Sequence, residues 1–301
     1  MGRSAQCGVG FRVFVILLFL AGCRSEGRGV PAPELLRVGI LPDQSAQVLT
    51  ARYKPLIEHL SKTVGIPFRY VPCDSYDQLL EKIAHGDIDL AYLGGVTYVK
   101  ASQQATLKPL VMRLRDTRFT SYFLVRASHP AQSLRDLQGQ RLAFGAELST
   151  SGHYMPRHFL EQEGIAPESF FGTISFTGTH DATALTVANG QADVGAANAT
   201  IIDQMRRDGR IPEGAMRVLW ETPPYADYVW AIRADLPPEV INRTRDAFLM
   251  LDASQSAHRR VLEPMAAQVF LPARNEDFAA LADMISHTEQ STRTHPAGAL
   301  E

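Results

Sequence analysis

In the stretch "FGAELSTSGHYMPRHFL", residues 144–160, Ser149, Thr150, Ser151 and Gly152 stand in a row directly ahead of a helical pattern. Two chemistries fit that spacing. Ser and Thr hydroxyls accept bonds from the free N–H groups of a first helical turn, which makes an N-cap. The same hydroxyls also make an anion cradle when a glycine permits close approach and N–H groups gather at the positive end of the helix dipole. His180-Asp181 opens a second helical stretch, where it reads as an acid/base pair or again as a cap. Gly94-Gly95 follows a strand, as a tight turn or as the place beyond a strand's carboxyl end where ligands lie in open α/β sheets.

Other chemistry is poorly supported. The sequence has no G-x-S-x-G elbow, no G-x-x-x-x-G-K-[ST] loop and no H-E-x-x-H. His153 and His158 are five apart and share no helix face, so no metal site is expected and no cofactor is called for. A net charge of -2 without a basic run leaves no footprint for nucleic acid. With 45% hydrophobic and 21% charged residues, the 301-residue chain has the composition of a globular protein and length for two domains.

The N-terminus reads as an export signal: Arg3 and Arg12 flank a polar start, and "VFVILLFLAG" then runs apolar to Gly22, too short for a mature span. It ends in Leu20-Ala-Gly-Cys23, which resembles the lipobox of bacterial lipoproteins. That resemblance implies cleavage before Cys23, lipid on its thiol, and a protein tethered to a membrane in the periplasm or elsewhere outside the cytoplasm. Residues 24–35 form a linker whose first part is rich in Gly and Pro. With Cys7 removed and Cys23 acylated, Cys73 has no disulfide partner; it is a buried small hydrophobe or a free thiol.

From Leu36 onward, short apolar runs alternate with helical stretches. "LRVGIL", "FRYV" and "DIDLAYLGG" read as strands, with helices at 48–64 and 76–84 between them. The pattern restarts with the strands "SYFLVR", "RLAFG", "TISFTG", "ADVGAAN" and "MRVLWE", the helices between them beginning near Thr150, His180 and Thr200. "YVWAIR" and helices over 238–250 and 253–269 close the chain, and no repeat of fixed period is evident. This β-α-β alternation implies an α/β fold of two units, each a mostly parallel sheet flanked by helices, the second nested in the first. The crossings fall near 116–119 and 221–227. Lobe 1 is expected over 36–118 and 226–290, lobe 2 over 119–225, and a loosely ordered tail over 291–301.

The segment from "FTSYFLVRASHP" through "STSGHYMPRHFLEQEGI" resembles the bacterial periplasmic phosphonate-binding family, which also covers phosphite-, phosphate- and other oxyanion-binding relatives of ABC importers. "DIDLAYLGGVTYVKA", "GTHDATALTVANGQADVGAAN" and "TPPYADYVWAIR" match in the family's order. The resemblance implies a two-lobed class II (type 2) periplasmic-binding fold that closes like a hinge on a small oxyanion. It implies that Ser149, Thr150, Ser151 and Gly152 hold the anion and that His180 adds a donor. Tyr76 would serve from the first lobe, and Asp227 would accept a proton from a partly protonated oxyanion. Asn198 lies where some relatives carry an acid. Tyr98, Tyr122 and Tyr225 wall the cleft or pack as core.

Two departures bear on the ligand. Phosphonate-binding members usually read L-G-P where this chain reads Leu93-Gly94-Gly95, which shifts weight toward other oxyanions such as phosphite, phosphate or selenate. Cys73, three residues before Tyr76, offers a thiol for arsenite if it faces the cleft. Three function classes follow: a monomeric, lipid-anchored binding protein serving an ABC permease, an oxyanion sensor partnering a membrane histidine kinase, and an enzyme using His180 and an acid. The absence of a nucleophile motif argues against the enzyme.

Overall fold

A computed structural model of the chain describes residues 1–2 and 31–294, with side chains to residue 286. The apolar run, Cys7, Cys23 and the linker up to residue 30 lie outside the described residues, as does the tail from 295. Strand β1 (Leu36–Ile40), helix α1 (Ala46–Val64), β2 (Phe68–Val71), α2 (Tyr76–Ala84), β3 (Leu90–Leu93), α3 (Gly95–Gln104) and β4 (Leu107–Arg113) come first. The chain then crosses to β5 (Ser121–Arg126), β6 (Arg141–Phe144), α4 (Met155–Gln162), α5 (Pro167–Phe170), β7 (Thr173–Phe176), α6 (His180–Ala188), β8 (Val194–Asn198), α7 (Ala199–Arg207) and β9 (Met216–Glu221). It returns with β10 (Val229–Arg233), α8 (Pro238–Leu249), α9 (Ser256–Leu262), β11 (Phe270–Pro272) and α10 (Ala279–Thr294).

Two sheets result, six-stranded in the order β11-β4-β10-β3-β1-β2 and five-stranded in the order β7-β6-β8-β5-β9. In each, three parallel strands meet one antiparallel strand that arrives from the other half of the chain: β10 beside β3, and β5 beside β8. The central strands "LAYL" and "VGAAN" are buried at every position, as strands covered on both faces must be. Alternation does the rest. In β5, Phe123 and Val125 enter one core cluster while Leu124 enters another on the opposite face. Helix α1 buries Leu49, Tyr53, Leu56, Leu60 and Val64, one apolar stripe at helical spacing, and ends at Gly65 with φ 71°.

The two halves share a plan that the sequence alone does not disclose. Arg37 clamps Asp89 and the carbonyl of Gly86, and Arg141 clamps Asp193 and the carbonyl of Gly190 in the same way, each counterpart 104 residues on. Residues 95–113 form α3 and β4, which the sequence pattern does not announce. Two expectations need correction. The helix expected over 253–269 stops at Leu262, because Pro264 removes a backbone donor and Ala266 turns left-handed at φ 50°. Helix α10 runs to Thr294, so the tail's first four residues are helical. Among the described residues, no helix is long and apolar enough to cross a membrane.

Candidate functional site

The site is assembled where helix starts from both sheets meet. Ser149 accepts the N–H of Gly152 at 2.9 Å, and the turn it caps, residues 150–154, leads into α4. The cap reading of the Ser-Thr-Ser-Gly row is therefore correct for Ser149. Thr150 does something else: its Oγ1 accepts the N–H of Val96 in α3 at 2.9 Å, from the other sheet. Ser151 is buried, yet its Oγ has no hydrogen-bond partner. Its carbonyl is held by Ser121 at 2.7 Å, so the hydroxyl is left facing inward while the backbone is fixed.

Glycines let these parts approach. A Cβ on Gly152 would lie 2.9 Å from Cε1 of His180, and one on Gly94 would lie 3.0 Å from Thr150 Oγ1 and 3.3 Å from Asp227 Oδ1. Gly95 donates its N–H to Asp227 Oδ1 at 2.9 Å. The Tyr76 hydroxyl meets Ser149, and burial pushes its pKa well above the ordinary tyrosine value, so it stays a neutral phenol. Tyr225 joins the edge of the group by a 2.5 Å contact with Ser121.

Charge is handled without a cation. Among Tyr76, Gly94, Gly95, residues 149–152, His180 and Asp227, none is Lys or Arg, and burial keeps the His180 ring neutral. Thr179 caps α6, which places His180 at the first helical position with 1% exposure. Its Nδ1 accepts the N–H of Asn198 at 3.3 Å, and burial pushes its pKa down to about 4. A neutral ring whose Nδ1 is an acceptor carries its proton on Nε2, and that nitrogen has no partner. Asp227 is wholly buried, and burial pushes its carboxyl up to about 7, with buried Asp116 adding to the rise. The Gly95 N–H, Thr150 and Ser151 pull the other way, Ser151 lying near the carboxyl but outside normal hydrogen-bond geometry.

Three buried polar atoms are thus left without partners in one place: Ser151 Oγ, His180 Nε2 and Asp227 Oδ2. Buried polar groups are almost always paired, so this concentration calls for an external partner. Two donors and one carboxyl, backed by helix starts, can pair with an oxyanion that carries one proton.

Several expected residues stand elsewhere. Asp181 turns away to accept from Thr179 at 2.5 Å, from Ala182 at 3.1 Å and from Ser45 at 3.3 Å, so it is a cap rather than a ligand group. The Cys73 thiol points at the Val71 carbonyl, 3.8 Å away, and none of the charges acting on it belongs to the site. It therefore lends no support to arsenite capture. The Asn198 side chain caps α7 through Ile201 and donates to Tyr228, one step behind His180. Tyr98 pairs with Asn275 and Tyr122 with Asp203, away from the group. Val96, Ser121, Asp43 and Tyr228 went unread in the sequence. Asp43 had a signal, since it follows β1 at the carboxyl edge where α/β ligand sites form.

Over residues 38–278 the chain matches the family described as ABC transporter, phosphonate, periplasmic substrate-binding protein. A Prochlorococcus marinus (strain MIT 9301) protein named probable ABC transporter phosphite binding protein PhnD1 is 30% identical over 265 residues, 84% of this chain and 89% of its own. The phosphate-import protein PhnD of Mycolicibacterium smegmatis is 32% identical over 229 residues, 72% of this chain and 71% of its own. The structure of P. marinus PhnD1 in complex with methylphosphonate superposes with a TM-score of 0.81 at 28% identity, covering 85% of this chain and 99% of that one.

Proposed function

The chain belongs to the phosphonate family of periplasmic substrate-binding proteins of ABC transporters, which are not enzymes, and from that premise we propose that it captures a small phosphorus oxyanion between its two lobes. The observation that carries the reading is the trio of unpartnered atoms on Ser151, His180 and Asp227. A tetrahedral oxyanion bearing one proton satisfies all three. Two of its oxygens accept from Ser151 and His180, and its own O–H donates to Asp227, or a protonated Asp227 donates to it. Phosphite, phosphate and methylphosphonate can carry that proton near neutral pH. Sulfate and selenate cannot, and would set a bare oxygen against a carboxylate.

The names of the relatives support this class: one is a phosphite binder, another imports phosphate, and the structural neighbour holds methylphosphonate. The lobes close on the ligand, and the closed form docks on the permease. The Leu20–Cys23 lipobox tethers the protein at the membrane where that permease lies. A thermal-shift panel of phosphite, phosphate, methylphosphonate and sulfate tests the reading, since a ligand bound only by the native state raises its melting temperature. Shifts with the phosphorus oxyanions and none with sulfate are expected. A sulfate shift as large as the others, or no shift at all, contradicts the proposal.

A further inference from the structure

Behind the anion site, four buried residues close a ring of hydrogen bonds. Tyr228 donates its hydroxyl proton to Asp43 Oδ2 at 2.8 Å, and Asn198 Nδ2 donates to the Tyr228 oxygen at 3.0 Å. The Asn198 N–H donates to His180 Nδ1 at 3.3 Å, and the His180 N–H returns to the Asp43 carbonyl at 3.0 Å. Exposure is 5% for Asp43, 2% for Tyr228 and Asn198, and 1% for His180.

Donor and acceptor roles around the ring permit one arrangement. Asn198 Oδ1 is taken by the N–H of Ile201, so only its amide nitrogen is left for Tyr228. Tyr228 must then use its single proton on Asp43. Asp43 and Tyr228 belong to the six-stranded sheet's half, and Asn198 and His180 to the five-stranded sheet's half. Two of the four bonds, Asn198 to Tyr228 and His180 to Asp43, therefore cross between lobes. The neighbours of Asp43 cross at the same place, with Ser45 donating to Asp181 and Arg210 to Gln44, each at 3.3 Å.

The geometry points to Asp43 and Tyr228 as positioning residues for ligand retention: acting through Asn198, they clasp the lobe that carries His180 and hold its Nε2–H on the bound oxyanion. The clasp exists only while the lobes are together, so it governs how long the closed form lasts rather than how fast a ligand enters. The inference deepens the binding reading and rests on it for the identity of the probe.

The test uses phosphite and the variants Tyr228→Phe, Asp43→Ala and Asp43→Asn, with association and dissociation followed by stopped-flow fluorescence. In Tyr228→Phe, the Asn198 amide loses the cross-lobe acceptor that it has only in the closed form, so dissociation accelerates about 10- to 100-fold while association stays within a few-fold. Asp43→Ala behaves alike, whereas Asp43→Asn, which keeps an oxygen for Tyr228, retains the slow rate. The ligand-free melting temperature is the control: a fall in melting with unchanged dissociation means a structural role only and overturns the inference. Lobe separation is read independently from spin labels at the exposed positions Lys62 and Gln191, in a Cys73→Ser background. Tyr228→Phe is expected to lengthen that separation, and a distribution identical to that of the parent with and without phosphite overturns the clasp. Failure of the parent protein to bind phosphite counts against the binding reading; the clasp is then judged by label separation alone.

Discussion

Thr150 Oγ1 accepts the backbone N–H of Val96 at 2.9 Å, joining the start of a helix on one sheet to the start of a helix on the other. The bond sits beside the Asp227 carboxyl, so one hydroxyl both bridges the halves and borders the proposed anion site. Thr150→Val keeps the shape and removes the acceptor, leaving the Val96 N–H unpaired when the lobes meet. A loss of about 1–3 kcal/mol in phosphite affinity is expected by calorimetry. An unchanged affinity would show that this contact does not hold the closed form.

Ser151→Ala separates binding from stability. Its hydroxyl has no partner within the protein, so the ligand-free melting temperature should stay the same or rise slightly. Affinity for phosphite should fall about 10- to 100-fold, because a donor to the anion is lost. Equal losses in melting and affinity would assign Ser151 to the scaffold instead.

Gly152→Ala tests the close approach of His180. The added carbon would lie 2.9 Å from the imidazole and 3.1 Å from the Gly145 Cα, so the ring or the turn must move. A cost of about 1–3 kcal/mol in stability is expected on denaturant unfolding, along with weakened binding. Wild-type values for both would mean that the turn yields without displacing His180.

Protonation gives opposing slopes. Asp227 holds its proton up to about pH 7, against 3.8 for a free carboxyl, so its contribution to stability is present at low pH and is lost as pH rises toward 7. His180 stays neutral down to about pH 4, against 6.5 for a free imidazole, so its contribution is full above pH 6.5 and is lost as pH falls toward 4. They amount to on the order of 4 kcal/mol for Asp227 and 3 kcal/mol for His180, and between pH 4 and 6.5 their opposite slopes largely cancel. Asp227→Asn should unmask a ligand-free melting temperature that rises with pH across this window. His180→Gln should unmask one that falls. Parallel profiles in the two variants would mean that neither group titrates as its burial requires.

Much of this architecture was legible because periodicity reports burial. The strands "LRVGIL", "SYFLVR" and "ADVGAAN" and the helix at 76–84 stand where apolar spacing puts them. Helix α3 was hidden behind Gly94-Gly95, which reads as a turn but is an N-cap followed by a first helical residue. The Ser-Thr-Ser-Gly row could be identified but not apportioned: only contacts from another sheet distinguish Ser149 as a cap, Thr150 as a bridge and Ser151 as the open donor. Cys73 and Asp181 each had two readings, a buried small hydrophobe or a cleft thiol and a cap or a ligand group, and proximity in sequence to Tyr76 and His180 says nothing of which way a side chain turns. Asp43 and Tyr228 are 185 residues apart and meet only in the folded chain.

The most direct test of the account is the number of protons taken up when phosphite binds, measured by calorimetry in buffers of different ionisation enthalpy. At about pH 8 the free anion and Asp227, whose carboxyl pKa is about 7, are both largely deprotonated, yet the proposed binding mode requires one proton between them. The account predicts uptake of about one proton per phosphite bound, falling toward zero in Asp227→Asn. Binding with no proton uptake, or uptake that survives Asp227→Asn, would contradict it.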